Sequence, residues 1–274
     1  MNTVVTVEQV RKYWDSHPLF SHELDQVGSP AFFDRLDAIK REDVERFSLA
    51  YWDFGAYRRK QVLDVGSGPG WITVMYAQQG AEVTAVDLTP AAVSLTKAFL
   101  AYRGLSATVQ EANAEALPFE DASFDLVVSS GVLHHTPDYQ KAIAECYRVL
   151  RPDGEAKITL YRKGVLHHRL AWPLTARLMR LAGVRHPGAD LAQTAADVND
   201  FIRQYDGEGN PFGLGMTNKQ WAKVLREVGF QVVEHENHFF PRRFLPFSKW
   251  IPAWVHQILE RCFGTMVYFR LKKA

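Results

Sequence analysis

The 274-residue sequence predicts an α/β fold of the doubly wound kind, a mostly parallel sheet with helices on both faces, filling one domain with attachments. Between residues 61 and 161, short apolar runs alternate with longer segments of helical periodicity. The first run, Gln61 to Val65, stops at Gly66 as a buried parallel strand does. Hydrophobic residues at 47% against 23% charged make a packed core attainable and wholesale disorder unexpected.

Residues 1–58 read as a helical N-terminal cap, from the spacing of Phe33, Leu36 and Ile39 and then of Val44, Phe47, Ala50 and Tyr51. Residues 59–274 form the sheet domain, with insertions at about 162–217 and 240–263. The expected order is strand 61–65, helix 70–79, strand 81–87, helix 90–102, strands 106–110 and 124–130, helix 138–150 and strand 154–161. Pro90 after Thr89 marks a helix start, because proline suits the first turn and the threonine hydroxyl can cap it. Arg151-Pro152-Asp153-Gly154 reads as a turn ahead of a strand. A helix-like stretch from Leu166 to Leu181 and a loop from Asp206 to Gly215 interrupt the pattern. It resumes with a helix at 218–228, a strand at 230–238, a second aromatic insertion and a closing strand at 265–271.

The bulk properties exclude several classes. A formal charge of +1 gives no strong global field to attract nucleic acid, although a local basic patch stays open. Cys146 and Cys262 form neither a disulfide framework nor the paired spacing of a zinc site, so no metal is expected and a reducing cytoplasm fits best. The first residues lack the basic and apolar regions of a signal peptide. No run approaches the ~18 apolar residues of a membrane span, although peripheral membrane contact stays open, as does a homodimer.

Chemistry concentrates in Asp64-Val65-Gly66-Ser67-Gly68-Pro69-Gly70, three glycines at alternate positions between the first strand and a helix. Glycine lets backbone approach a ligand closely, and the helix start offers unpaired N–H groups. About twenty residues on, Asp87 ends the second strand, where a carboxylate can accept the hydroxyls of a ribose. A nicotinamide site wants a glycine three positions after Gly68, where this chain has Trp71. Asp64 suits a ligand carrying a cation and suits a pyrophosphate poorly.

The D-x-G-x-G-x-G run resembles the first motif of class I S-adenosylmethionine-dependent methyltransferases, in which a compact amino-acid moiety replaces the pyrophosphate. The likeness extends over residues 61–161. Ala112 to Phe119 is similar to the family's adenine-holding segment, with Asn113 where an aspartate is usual, and Phe124 to His135 is similar to its fourth motif. By this pattern the chain is similar to the small-molecule enzymes grouped with ubiquinone and menaquinone biosynthesis methyltransferases. The resemblance implies a seven-stranded sheet whose last strand is antiparallel, S-adenosylmethionine as cofactor, and cofactor contacts from Asp64, Gly66, Ser67, Gly68, Gly70, Asp87, Leu88, Asn113, Ala114 and Ser130.

Methyl transfer from a sulfonium needs alignment above all, and a base only where the acceptor must lose a proton. His134 and His135, just past the fourth strand, are the candidate bases, with Tyr13 as a further catalytic candidate. Tyr13 and His17, four residues apart on one helix face, are expected to point into one cavity with Trp14 beside them. Tyr161, Arg162 and Tyr205 are candidate acceptor contacts. The aromatic and arginine-bearing stretch from His238 to Phe247 reads first as a pocket wall, then as a surface for a lipid-like acceptor or bilayer, then as a dimer contact. The expected reaction is methylation of a small organic molecule, oxygen ahead of nitrogen or sulfur. A nicotinamide oxidoreductase and a non-catalytic cofactor-binding module remain as rival classes.

Overall fold

A computed structural model describes residues 5–20, 24, 26–43, 47–164, 177, 198–205, 207, 209–240 and 250–274. Seven strands form one sheet in the order β3-β2-β1-β4-β5-β7-β6: β1 Gln61–Val65, β2 Glu82–Asp87, β3 Thr108–Glu111, β4 Phe124–Ser130, β5 Leu150–Tyr161, β6 Phe230–His238 and β7 Met266–Lys273. The β1–β2, β2–β3, β1–β4 and β4–β5 pairs are parallel, and β7 runs antiparallel to both β5 and β6. The chain turns back at β1: β2 and β3 step one way and β4 onward the other. Doubly wound sheets open a crevice at that point, at the carboxyl ends of the strands.

Side chains of the central strands alternate between two apolar layers. Val62, Leu126 and Val128 meet helices α2 (Pro30–Ala38), α3 (Ser48–Trp52), α4 (Trp71–Gln78) and α5 (Pro90–Tyr102). On the other face, Leu63, Val65 and Val127 meet helices α6 (Tyr139–Val149) and, beyond α7 (Val198–Tyr205), α8 (Asn218–Val228). Strands buried on both faces cannot show polar alternation, which is why they read as continuous apolar runs. Local signals set the helix ends. Thr89 caps α5 by accepting from the Ala92 N–H with Pro90 at the first position, Asp138 caps α6, and Thr217 with Gln220 forms a reciprocal capping box on α8.

The structure refines several expectations. Residues 151–154 stand out of the β4–β5 ladder, between Leu150 opposite Phe124 and Glu155 opposite Leu126, with Asp153 at φ +61°. The predicted turn therefore sits inside a longer strand as a bulge. β3 begins at Thr108, two residues later than expected. The N-terminal region is broken into α1 (Val7–Ser16), α2, a π-helical turn Ile39–Asp43, α3 and a 3₁₀ turn Phe54–Tyr57. Val44, the Leu166–Leu181 stretch save Arg177, and residues 241–249 of the second insertion lie outside the described residues. Helix α9 (Ala253–Phe263) follows, and no described helix is long and apolar enough to cross a membrane.

Candidate functional site

A cavity of about 1220 Å³, counting its part open to solvent, lies over the carboxyl ends of β1, β2 and β4. Its floor is the glycine turn from Asp64 to Pro69, with Asp87, Leu88 and Thr89 after β2, Asn113 and Ala114 after β3, and Ser130 after β4. Val7, Val10 and Trp14 of α1 line it together with Phe20 and Lys40. Of the ten expected cofactor residues, Asp64, Gly66, Ser67, Gly68, Asp87, Leu88, Asn113, Ala114 and Ser130 line this cavity. Gly70 does not: a Cβ there would lie 2.8 Å from the Thr96 Cα, and its φ is +86°. That glycine lets α4 approach α5. A Cβ at Gly68 would meet nothing within 4 Å, so this is the turn position at which a ligand has open backbone to approach.

Two carboxylates and one ammonium set the electrostatics. Asp87 accepts from the Gly68 N–H at 3.0 Å through one oxygen and from the Thr89 N–H and hydroxyl through the other. This ties the end of β2 to the glycine turn, and burial raises its pKa. The hydrogen bonds from Gly68, Thr89 and the Leu88 backbone oppose that rise. Asp64 is buried and accepts from the Thr73 hydroxyl at 2.6 Å. Burial is the main cause that pushes its pKa up to about 7, with the Thr73 bond opposing. Lys40 is buried in the π-helical turn, its Nζ 5.6 Å from the centre of the Phe20 ring and 5.9 Å from that of Trp71.

Sequence reasoning missed Lys40, although a signal was present. It falls four residues after Leu36 and seven after Phe33, both buried, so a cation sits on the core-facing stripe of a helix. Asn113 lines the cavity as expected, but its side-chain oxygen also accepts from the Glu115 N–H at 3.0 Å, bracing the turn that follows β3.

The two histidines separate. His135 lines the cavity, its Nδ1 lies 2.8 Å from the Phe212 carbonyl, and Trp14 stands edge-on to it at 5.2 Å. A carbonyl only accepts, so Nδ1 carries the proton and Nε2 is the basic nitrogen. His134 is fully buried beneath, against Tyr161 with ring centres 4.3 Å apart, and neither of its nitrogens has a hydrogen-bond partner among the described residues. Burial drives its pKa well down, so it is a neutral packing residue with no access to the cavity.

Several expected acceptor contacts lie elsewhere. α1 ends at Ser16, and His17 folds back to stack on Tyr13 with ring centres 4.5 Å apart. Neither lines the cavity, and Tyr13 packs against Gly207, where a Cβ would lie 2.1 Å from its hydroxyl. Tyr161 accepts from the Trp221 indole N–H through its carbonyl, and its ring packs on His134 away from the cavity. Arg162 donates to the carbonyls of Cys262 and Gly264, capping the C-terminal end of α9. The Tyr205 side chain lies outside the described residues. The described part of the second insertion contributes nothing to the cavity wall.

Residues 63–158 match the family model described as a methyltransferase domain. The chain is similar to an uncharacterized protein of Mycobacterium tuberculosis, 46% identical over 34% of this chain and 34% of that protein. It is also similar to a demethylmenaquinone methyltransferase of Thermus thermophilus, 38% identical over 35% of this chain and 44% of that protein. A ubiquinone biosynthesis O-methyltransferase of Pseudomonas entomophila is 36% identical over 58% of this chain and 62% of its own length. In each of the three, the matched stretch covers less than two thirds of the relative.

Solved structures agree on the fold. An S-adenosylmethionine-dependent methyltransferase from Mesorhizobium loti has a TM-score of 0.53 at 18% identity, over 79% of this chain and 92% of its own. The cyclase SpnF has 0.55 at 18% identity, over 98% and 96%. The lining fits S-adenosylmethionine: a carboxylate and an ammonium for an amino-acid zwitterion, a carboxylate for a ribose, and an amide at the end of β3.

Proposed function

We propose that the whole chain transfers the methyl group of S-adenosylmethionine to a small organic acceptor, with oxygen as the favoured acceptor atom. The observation that carries this reading is the single cavity that gathers Gly68, Asp87 and Asn113 with His135 on its rim. Asp87 takes the ribose hydroxyls, Asn113 and Ala114 border the adenine, and Asp64 and Lys40 face the ammonium and carboxylate of the amino-acid end. Residues 1–58 serve as the cap and Trp14 closes the cavity from above. The methyl acceptor named for the Pseudomonas relative is an oxygen, which supports an oxygen here.

When bound, the cofactor supplies a methyl group already activated on a sulfonium. The protein is left with positioning, exclusion of water and, for a hydroxyl acceptor, removal of one proton. α1 and the apolar side chains Val7, Val10 and Phe20 exclude water. His135 takes the acceptor's proton on Nε2, while the Phe212 carbonyl holds the ring by its Nδ1–H.

Calorimetric titration with S-adenosylmethionine, S-adenosylhomocysteine and NAD, on the wild type and on Asp87→Ala, tests the cofactor reading. Binding of the two sulfur nucleosides, lost in the variant, is expected; binding of NAD alone overturns it. Turnover on phenolic acceptors tests the base. His135→Ala is expected to lower kcat by about 10²-fold or more, and His134→Ala to lose stability while keeping the pH profile. Equal turnover in wild type and His135→Ala removes histidine from the chemistry.

A further inference from the structure

Helix α9 half-buries Val255, Leu259 and Phe263 but carries apolar side chains on its outward face as well. Towards the protein it buries His256 and Glu260. His256 meets the Phe240 carbonyl at 2.7 Å, and Glu260 lies 3.7 Å from His238. Towards water it turns Trp254, 65% exposed, and Ile258, 53% exposed, one helical turn apart, with Trp250 at 85% just before its start. Trp254 and Ile258 on the helix, with Trp250 just ahead of it, leave an apolar face open to a partner. The helix is firmly mounted. Arg162 caps its last carbonyls, and the Asn237 amide donates to the Arg261 carbonyl at 2.9 Å.

Charge indicates which partner. Arg242, Arg243 and Lys249 precede Trp250 in the chain and Arg261 is exposed on α9, against one acid between residues 240 and 263, the buried Glu260. A two-fold contact between copies would pair a net-positive stretch of chain with itself. Exposed tryptophan and isoleucine on the helix that carries Arg261, within a stretch of net positive sequence charge, is the pattern of a helix lying in the headgroup region of an anionic bilayer. The placement also suits the site. α9 leaves the end of β6 and leads into the start of β7, and β6 runs parallel to β5, so α9 sits at the sheet edge where the cavity opens.

We propose that Trp250, Trp254 and Ile258 form a docking face for an anionic phospholipid bilayer. This goes beyond the methyl-transfer reading and stands without it. The test is flotation of the full chain with vesicles of phosphatidylcholine alone and of an equal mixture with phosphatidylglycerol. Flotation is compared for the wild type, the single variant Trp254→Ser and the triple variant Trp250→Ser/Trp254→Ser/Ile258→Ser, with S-adenosylhomocysteine titrated into each as an independent readout. The expected result is wild-type flotation with the anionic vesicles, weakened by salt, and about tenfold or greater loss in the triple variant with nucleoside binding kept. Absence of wild-type flotation, equal flotation of all variants, or a wild-type dimer that the triple variant splits while vesicles bind neither would overturn it. Loss of nucleoside binding in every protein with flotation intact would count against the cofactor reading alone.

Discussion

On the proposed reading, Asp64 couples cofactor binding to pH. Burial raises its pKa to about 7, so below that pH the ligand-free protein holds it as a neutral acid. An unfolded chain titrates the same group near the ordinary value of about 4. Between those values the folded state binds more protons, so Asp64's contribution to stability falls as pH rises from about 4 to 7 and is constant above. An ammonium beside the carboxyl favours the charged form, and binding then expels a proton. Affinity for S-adenosylmethionine is therefore expected to fall by up to about tenfold per unit as pH drops below about 7, and to level off above it. Calorimetry in buffers of different ionisation enthalpy should show proton release near pH 6 that Asp64→Asn abolishes. Release that survives in that variant would place the titrating group elsewhere. At this scale Asp64, Asp87 and Gly68 were legible because their chemistry sits in contiguous motifs. Tyr13 and His17 were misaimed because a four-residue spacing shows that two side chains share a face, not which way that face looks. Lys40 was missed because long-range packing, rather than a motif, brings it to the cavity.

Among the elements, the glycine turn divides labour between building the fold and binding a ligand. Gly70 adopts φ +86° with Thr96 in van der Waals reach of any added carbon, whereas Gly68, at φ +52°, faces open space. Gly70→Ala is expected to cost about 2–4 kcal/mol, from left-handed backbone strain plus a clash between α4 and α5. Gly68→Ala should cost only about 1 kcal/mol of stability but weaken nucleoside binding by about tenfold or more. Urea titrations of both variants, alongside ligand titrations, check this contrast; equal stability losses would mean that the two glycines do the same job. The strands and capped helices were readable because their signals are local: apolar runs ending in glycine, Thr89-Pro90, Asp138, Thr217. The bulge at 151–154 carries the same residues as a turn, and only pairing with β4 and β7 decides that the strand continues past it.

For the molecule as a whole, the sheet and its two apolar layers form a unit to which α1 is added. Neither layer contains an α1 residue, yet α1 supplies Val7, Val10 and Trp14 to the cavity. It is tethered at several points. Asp15 accepts from the Ala91 N–H at the start of α5, Arg11 lies 3.7 Å from Glu111 at the end of β3, and Trp14 stands against His135. A helix fastened to the end of β3, the start of α5 and the turn after β4 spans the crevice without supporting the sheet. Removing residues 1–18 should therefore preserve a single cooperative unfolding transition, lowered by about 2–5 kcal/mol for the lost burial of Val10 and Tyr13. The wild type should gain about 2.7 kcal/mol from S-adenosylhomocysteine at a hundredfold excess over its Kd. At that same concentration the truncated chain should gain about 1.4 kcal/mol or less, corresponding to about tenfold weaker binding. A truncated chain stabilised as strongly as the wild type would show that the crevice holds the nucleoside unaided. α1 would then act on the acceptor alone, and the loss should appear in the acceptor's KM instead.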